Sequence, residues 1–250
     1  VEDQSAIRNL DAIIDEADAI MVARGDLGVE IPIEELPIAQ GRIVDTCLRH
    51  GKPVVVATHM LESMINAPFP SRAEITDIAH AVWQKADCVM LSAETSLGKF
   101  PLECVQTLEK ISERVEASQA IEYNTTYTPD SDKHKMILSA IVLAQDLGCS
   151  GIVLFSHEGE SAKTIAALRP MGCPIYVFTD DVKVQRKINL MWGVEPFVIN
   201  FNDDPEGVIS QAINKIKEKN YAHAGEKLVI LTNVIAGKQV VNSIQLRLVS

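Results

Sequence analysis

No run of 18 apolar residues occurs in the 250-residue sequence, so no membrane-spanning helix is expected. Basic residues are outnumbered: 23 lysines and arginines face 34 aspartates and glutamates, a net charge of −11. No basic stripe suits a phosphodiester backbone, so neither nucleic acid nor a membrane is expected as a partner. The acidity argues for solubility. The opening residues do not read as a secretory leader, and none is expected. The five cysteines, Cys47, Cys88, Cys104, Cys149 and Cys173, are odd in number and form no CxxC pair. They lie mostly inside apolar runs and read as buried, reduced thiols of a cytoplasmic protein. There is no Walker A loop, no G-x-G-x-x-G and no H-E-x-x-H. Ser96-Leu97-Gly98-Lys99 matches S-x-x-K, but without a K-T-G acyl-serine chemistry is not expected. No internal repeat and no low-complexity tract appears.

What is present is a chain that is 47% hydrophobic, enough for the core of one large domain or two medium ones. Strand and helix patterns alternate. Helical spacing at Ile7–Ala17 precedes a strand at Ala19–Ala23. A helix over Glu34–His50 is closed by Gly51, and Pro53 follows it. A strand at Val54–Ala57 comes next. Ser71-Arg72-Ala73-Glu74 spells a capping box for a helix to about Ala86. A strand over Cys88–Leu91 is followed by a helix from Pro101 to about Ala117. The polar segment 118–133 reads as a linker. Beyond it the expected elements are a helix at Lys135–Leu147, a strand at Ile152–Phe155 and a helix at Ser161–Leu168. A strand at Ile175–Phe178, a helix to about Met191 and a short strand at Phe197–Ile199 follow. The last are a helix at Pro205–Lys219 and strands at Leu228–Leu231 and Ser243–Val249. Such alternation implies largely parallel sheets covered on both faces. The first domain holds three complete strands, and Val1-Glu2-Asp3 reads as the end of another. Three parallel strands do not close a barrel and leave an open edge.

In a parallel α/β sheet the carboxyl ends of the strands share one rim, where ligands bind. The first strand ends in Arg24-Gly25-Asp26, the second in Thr58-His59 and the third in Ser92-Ala93-Glu94-Thr95. Glu2 and Asp26 together suit Mg²⁺, which takes one or two carboxylates, waters and substrate oxygens. Asp26 equally suits a helix cap, and Glu2 a plain exposed position. Thr58 offers a hydroxyl that donates and accepts, and is also an ordinary strand residue. Arg24 can bind a substrate anion or pair with Glu30 or another carboxylate. His59 without partners is a packed or solvated histidine.

The segment Met21-Val-Ala-Arg-Gly-Asp-Leu-Gly-Val-Glu-Ile-Pro32 resembles the signature of pyruvate kinases. Ala57-Thr-His-Met-Leu-Glu-Ser-Met64, Ser71-Arg-Ala-Glu74, Asp87-Cys-Val-Met-Leu-Ser-Ala-Glu-Thr95, Gly98 and Pro101-Leu-Glu103 follow in that family's order. The resemblance covers about residues 1–117 closely and the rest more loosely. It implies a partial (β/α)8 TIM barrel at 1–117, a linker at 118–133 and a three-layer α/β regulatory domain with a mostly parallel sheet at 134–250. It implies phosphoryl transfer from phosphoenolpyruvate to ADP, giving pyruvate and ATP, with Mg²⁺ (or Mn²⁺) and K⁺ as cofactors. By position, Glu2 and Asp26 look like the metal ligands. Gly25, Asp26 and Thr58 look like substrate-binding residues, and Thr58 and Arg24 like catalytic ones. A homotetramer in the cytoplasm is the usual setting.

The family's lysine precedes the position of Val1 and, with half the barrel, lies outside these 250 residues. The chain alone is therefore expected to be inactive, and a non-catalytic effector-binding or scaffold piece is the alternative. Relatives carry Gln at the position of His59 and Gly at that of Ala93. Ser156, Gly159 and Ser161 lie in the loop where relatives bind the phosphate of fructose 1,6-bisphosphate. Glu158 and Glu160 would repel phosphate there, and the segment Asn233–Lys238 lacks the usual Trp and Gly-rich character. Weak or absent activation by that sugar phosphate is the expectation.

Overall fold

The structure is a computed structural model that describes residues 1–118, 131–202, 204–236 and 239–250. The chain divides into two compact units, Val1–Ala120 and Ile121–Ser250. Most of the linker expected at 118–133 lies outside the described residues, and Asp132 and Lys133 already belong to a helix.

In the first unit, α1 (Gln4–Arg8) and α2 (Leu10–Glu16) stand where one helix was expected. Asp3 starts α1 early by accepting the Ala6 amide at 2.7 Å, and Asn9 interrupts the pair at φ −105°, ψ 25°. β1 (Ile20–Ala23) runs straight into α3 (Arg24–Glu30). A 3-10 turn at Ile33–Glu35 leads to α4 (Leu36–His50), which takes Pro37 in its first turn. Gly51 ends α4 in the left-handed region at φ 62°, where a side chain would be strained. β2 (Val54–Ala57) is followed by a 3-10 turn at Glu62–Ile65 and by α5 (Arg72–Trp83). The capping box of α5 is complete, and its Glu74 also accepts the Ser63 amide at 2.7 Å and the Ser63 hydroxyl at 2.5 Å. One carboxylate thus starts the helix and pins the loop that follows β2.

β3 is short (Cys88–Val89) and gives way to α6 (Ala93–Ser96) and α7 (Pro101–Glu116). The expected strand to Leu91 stops early because the Glu94 carboxylate draws in the Ser92 amide at 2.7 Å and turns the chain. The sheet order is β1-β2-β3, all parallel, with Val22 opposite Val56 and Val56 opposite Val89. Alternate residues Ile20, Val22, Val54 and Val56 are buried against Leu10, Ile14, Ile43, Cys47 and Ile78. Each such side chain contributes about 1.5–3 kcal/mol by leaving water. On the free side of β1, Val1 donates its amino group to the Met21 carbonyl at 2.7 Å and accepts the Ala23 N–H at 3.1 Å. Those bonds give Val1 the pairing of a parallel strand end.

In the second unit, α8 (Asp132–Asp146), capped by Ser131, leads to β4 (Gly151–Phe155), α9 (Glu160–Ala167), β5 (Ile175–Thr179) and α10 (Val182–Ile188). Then come β6 (Val194–Val198), α11 (Pro205–Glu218), β7 (Lys227–Ala236) and β8 (Gln239–Leu248). The sheet order is β6-β5-β4-β7-β8, parallel except for β8. Ile152, Leu154, Ile175 and Val177 face α8, α9 and α10, whereas Val153, Tyr176, Phe178 and Phe197 face α11. The unit is therefore three layers deep. β6 starts three residues before the expected Phe197. Pro196 sits within it because β6 is an edge strand, where a missing N–H costs no ladder bond. β7 and β8 are longer than expected, and Asn233–Ala236, expected in a loop, belong to β7; residues 237 and 238 lie outside the described residues.

Candidate functional site

All three carboxyl ends of the first sheet lie on one rim, because the strands are parallel. Two residues there have an unusual backbone. Thr58 and His59 stand at φ 68° and φ 54°, in the left-handed region. For a β-branched residue this is a true outlier that costs on the order of 1–3 kcal/mol and persists only where surrounding groups enforce it.

The enforcing groups are visible. Arg24 is 5% exposed, and its side chain crosses under the turn. Its Nε donates to the Ala57 carbonyl at 3.0 Å, and Nη2 donates to the Thr58 carbonyl. Nη1 meets both carboxylate oxygens of Asp77 at 2.7 Å and reaches Gln40 Oε1 at 3.4 Å. The Thr58 hydroxyl accepts the Gly25 N–H at 2.9 Å and donates to the Ala57 carbonyl at 2.7 Å. Arg24 therefore pairs with Asp77, not with Glu30, which α3 leaves exposed. A buried cation requires a carboxylate. Sequence reasoning missed Asp77 because its partner lies 53 residues away.

Gly25 is half-buried and Asp26 exposed, both in the first turn of α3. A Cβ on Gly25 would stand 3.7 Å from Thr58 Oγ1 and 3.8 Å from His59 Cε1, in ordinary contact with the turn. Glu2 is exposed, and the Val1–Ala23 hydrogen bond brings its backbone beside the end of β1. Among the described residues no group of three or more His, Cys, Asp or Glu side chains forms a ready-made metal cage. Glu2 and Asp26 are exposed carboxylates, a donor type that suits Mg²⁺ with waters completing its shell. His59 is exposed, with Nε2 3.9 Å from Glu62 Oε2.

Ser92 and Glu94 complete the rim. Glu94 is only 3% exposed and accepts the Leu61 amide at 3.2 Å besides that of Ser92. It ties the end of β3 to the loop after β2. The sequence placed Glu94 at a strand end, but its burial became legible only once both amides were seen to converge on it.

In the second unit, Ser156 accepts the Gly159 N–H at 3.0 Å. Gly159 stands at φ 84°, and a Cβ there would come within 2.9 Å of Ile188 Cγ2, so glycine is required. Ser161 is buried and lines a small crevice with Phe155, Leu231, Thr232 and Ser243, where the strand order reverses between β4 and β7. Lys163 pairs with Glu160 at 2.6 Å, the His157 ring meets Asp180 at 3.0 Å, and Lys133 lines the same crevice as Ser161. Burial, then the neighbouring Asp87, pushes the Cys47 thiol up to about 12, and burial pushes Cys173 likewise to about 12. Such thiols stay protonated and unreactive at neutral pH.

Two family models match the chain: pyruvate kinase, barrel domain, over residues 1–105, and pyruvate kinase, alpha/beta domain, over residues 134–246. The chain is 36% identical over 252 residues to pyruvate kinase isozyme A, chloroplastic, of Ricinus communis, covering 97% of this chain and 43% of that protein. It is 38% identical over 240 residues to a pyruvate kinase of Clostridium acetobutylicum, covering 94% of this chain and 50% of that protein. A crystal structure of a pyruvate kinase from Cryptosporidium parvum superposes with a TM-score of 0.92 at 33% identity, over 100% of this chain and 51% of that one. The chain belongs to the pyruvate kinase family. Its fold is a partial (β/α)8 barrel followed by a three-layer α/β domain. It spans about half the length of the curated relatives it matches.

Proposed function

We propose that this chain carries the metal and substrate-carboxylate side of a site that transfers a phosphoryl group from phosphoenolpyruvate to ADP, yielding pyruvate and ATP. The observation that supports this most is the strained Thr58 turn, whose hydroxyl meets the Gly25 N–H in the first turn of α3 at 2.9 Å. Phosphoryl transfer needs positioned groups and neutralised charge more than covalent chemistry. The Gly25 and Asp26 amides, at a helix start, suit a substrate carboxylate. One hydrogen bond to a charged group contributes about 1.5–3 kcal/mol. Substrate binding would take the Gly25 N–H away from Thr58 and leave that hydroxyl able to exchange a proton at the enolate carbon.

Glu2 and Asp26 would hold Mg²⁺ or Mn²⁺, which supplies charge neutralisation at the substrate oxygens. Arg24, whose donors are turned onto protein carbonyls and Asp77, positions the Thr58 turn rather than touching substrate. K⁺, a homotetramer and a cytoplasmic location belong to the same reading, though no residue of this chain is assigned to K⁺. We assign 1–117 to the catalytic barrel, 118–133 to a linker and 134–250 to a regulatory domain. In that domain Ser156, Gly159 and Ser161 form an effector loop of low phosphate affinity, since the loop's own Glu158 and Glu160 would repel phosphate and Glu160 already pairs with Lys163.

The test is pyruvate formation by the full-length natural protein with phosphoenolpyruvate, ADP and Mg²⁺. Thr58→Val is expected to lower kcat by about 100-fold or more. A wild-type protein that forms no pyruvate, or a Thr58→Val variant as fast as wild type, overturns the proposal.

A further inference from the structure

We propose that Asp77, on α5, is a positioning residue of this site: through Arg24 it sets the left-handed turn on which the Thr58 hydroxyl stands. The kinetic consequence rests on the phosphoryl-transfer reading above; the geometric one does not.

The two carbonyls that Arg24 holds are those of Ala57 and Thr58. They belong to the peptide planes on either side of the Thr58 Cα. Fixing both planes fixes φ and ψ of the residue between them. One planar fork therefore dictates a conformation that threonine does not adopt unaided. The fork is in turn aimed by Asp77, whose two oxygens both meet Nη1 at 2.7 Å. Gln40, at 3.4 Å, is too distant to replace it.

Asp77 is itself well anchored. It lies one turn along α5 from Glu74, and Glu74 holds Ser63 in the loop that follows Thr58. α5 thus grips the segment after β2 at two points, by Glu74 directly and by Asp77 through Arg24. Asp77 keeps a third of its side-chain surface exposed, whereas the Arg24 side chain is only 6% exposed. A purely structural ion pair would join two elements; this one leaves the cation's other two donors on the two carbonyls that flank the Thr58 Cα.

The experiment compares wild type, Asp77→Asn, Thr58→Val and the double variant in the full-length natural protein, by kinetics and crystallography. An amide lacks the charge that holds the fork. Asp77→Asn is expected to lower kcat about 100-fold with the KM for phosphoenolpyruvate changed less than about twofold, as for a group displaced in the transition state. In the Thr58→Val background the same substitution is expected to cost nothing further, because both act through one hydroxyl. The Asp77→Asn crystal structure is expected to show Thr58 relaxed to negative φ, with its hydroxyl withdrawn from the Gly25 amide. Arg24→Lys supplies a second variant should Asp77→Asn fail to fold: it keeps the charge but cannot span two carbonyls, and the same relaxation is expected. An unchanged turn with wild-type kcat overturns the proposal, as does a loss that multiplies with that of Thr58→Val. Should the wild-type protein form no pyruvate, the phosphoryl-transfer reading fails, and the crystal structures still decide whether Asp77 sets the turn.

Discussion

Replacing Thr58 by glycine is expected to harm the fold less than replacing it by valine, the reverse of the usual order in and around strands. Thr58 stands at φ 68°. A residue with a Cβ loses about 1–2 kcal/mol there, which glycine recovers. Valine keeps the branched Cβ and loses the hydroxyl, which accepts the Gly25 N–H at 2.9 Å and donates to the Ala57 carbonyl at 2.7 Å. Leaving that amide unsatisfied costs about 1–3 kcal/mol. Glycine loses the same bonds, but opens space for water to reach the half-buried Gly25 amide. Its extra freedom in the unfolded chain takes back about 0.5–1 kcal/mol. The glycine variant should thus lie within about 1 kcal/mol of wild type and the valine variant about 2 kcal/mol below it. The gap of about 1–3 kcal/mol corresponds to a Tm difference of about 2–12 °C, read by scanning calorimetry of the three proteins. A valine variant as stable as the glycine variant would show that the turn stores no strain, and the case for an enforced Thr58 conformation would collapse.

Two further effects follow from the first unit. A Cβ on Gly98 would overlap the Glu94 carbonyl oxygen, so Gly98→Ala should cost about 3 kcal/mol; Gly28→Ala, whose Cβ meets only Leu36 and Ile33 side chains at 3.7 and 3.8 Å, should be neutral or slightly stabilising by denaturant titration. Burial raises the Glu74 carboxyl, but hydrogen bonds from Ser63 and Ser71 outweigh it and hold the carboxyl below its usual range. A depressed folded value means stability that is complete above the unfolded value, about 4.3, and lost as pH falls through the folded one. The stability advantage of wild type over Glu74→Gln should therefore shrink below about pH 4 in acid titrations; a constant difference would refute it.

What the sequence made legible was local. The Ser71–Glu74 capping box, Gly51 after α4 and Pro101 at the start of α7 lie where their short-range chemistry places them. Strand–helix alternation led to two largely parallel sheets, and hence to one rim carrying Arg24, Gly25, Asp26 and Thr58. What stayed hidden depends on distant partners. Nothing near Arg24 in sequence points to Asp77, and nothing in Ala57-Thr58-His59 announces a left-handed turn that a cation imposes from the start of α3. The shortening of β3 follows from a buried Glu94 gathering amides from two segments. β7 and β8 extend past their expected bounds because they pair antiparallel from Lys227–Leu248 to Ala236–Gln239, and the Thr232 and Ser243 hydroxyls meet at 2.8 Å within that pairing.

The central claim is that Asp26, at the start of α3, holds the divalent metal that Glu2 shares. Its most direct test is a Mg²⁺ titration of pyruvate formation from phosphoenolpyruvate and ADP by the full-length natural protein and its Asp26→Asn variant. The variant is expected to fold normally, because Asp26 is exposed, and to need far more Mg²⁺ for a rate lowered by about 100-fold. An Asp26→Asn protein that matches wild type in both rate and Mg²⁺ requirement would contradict the account.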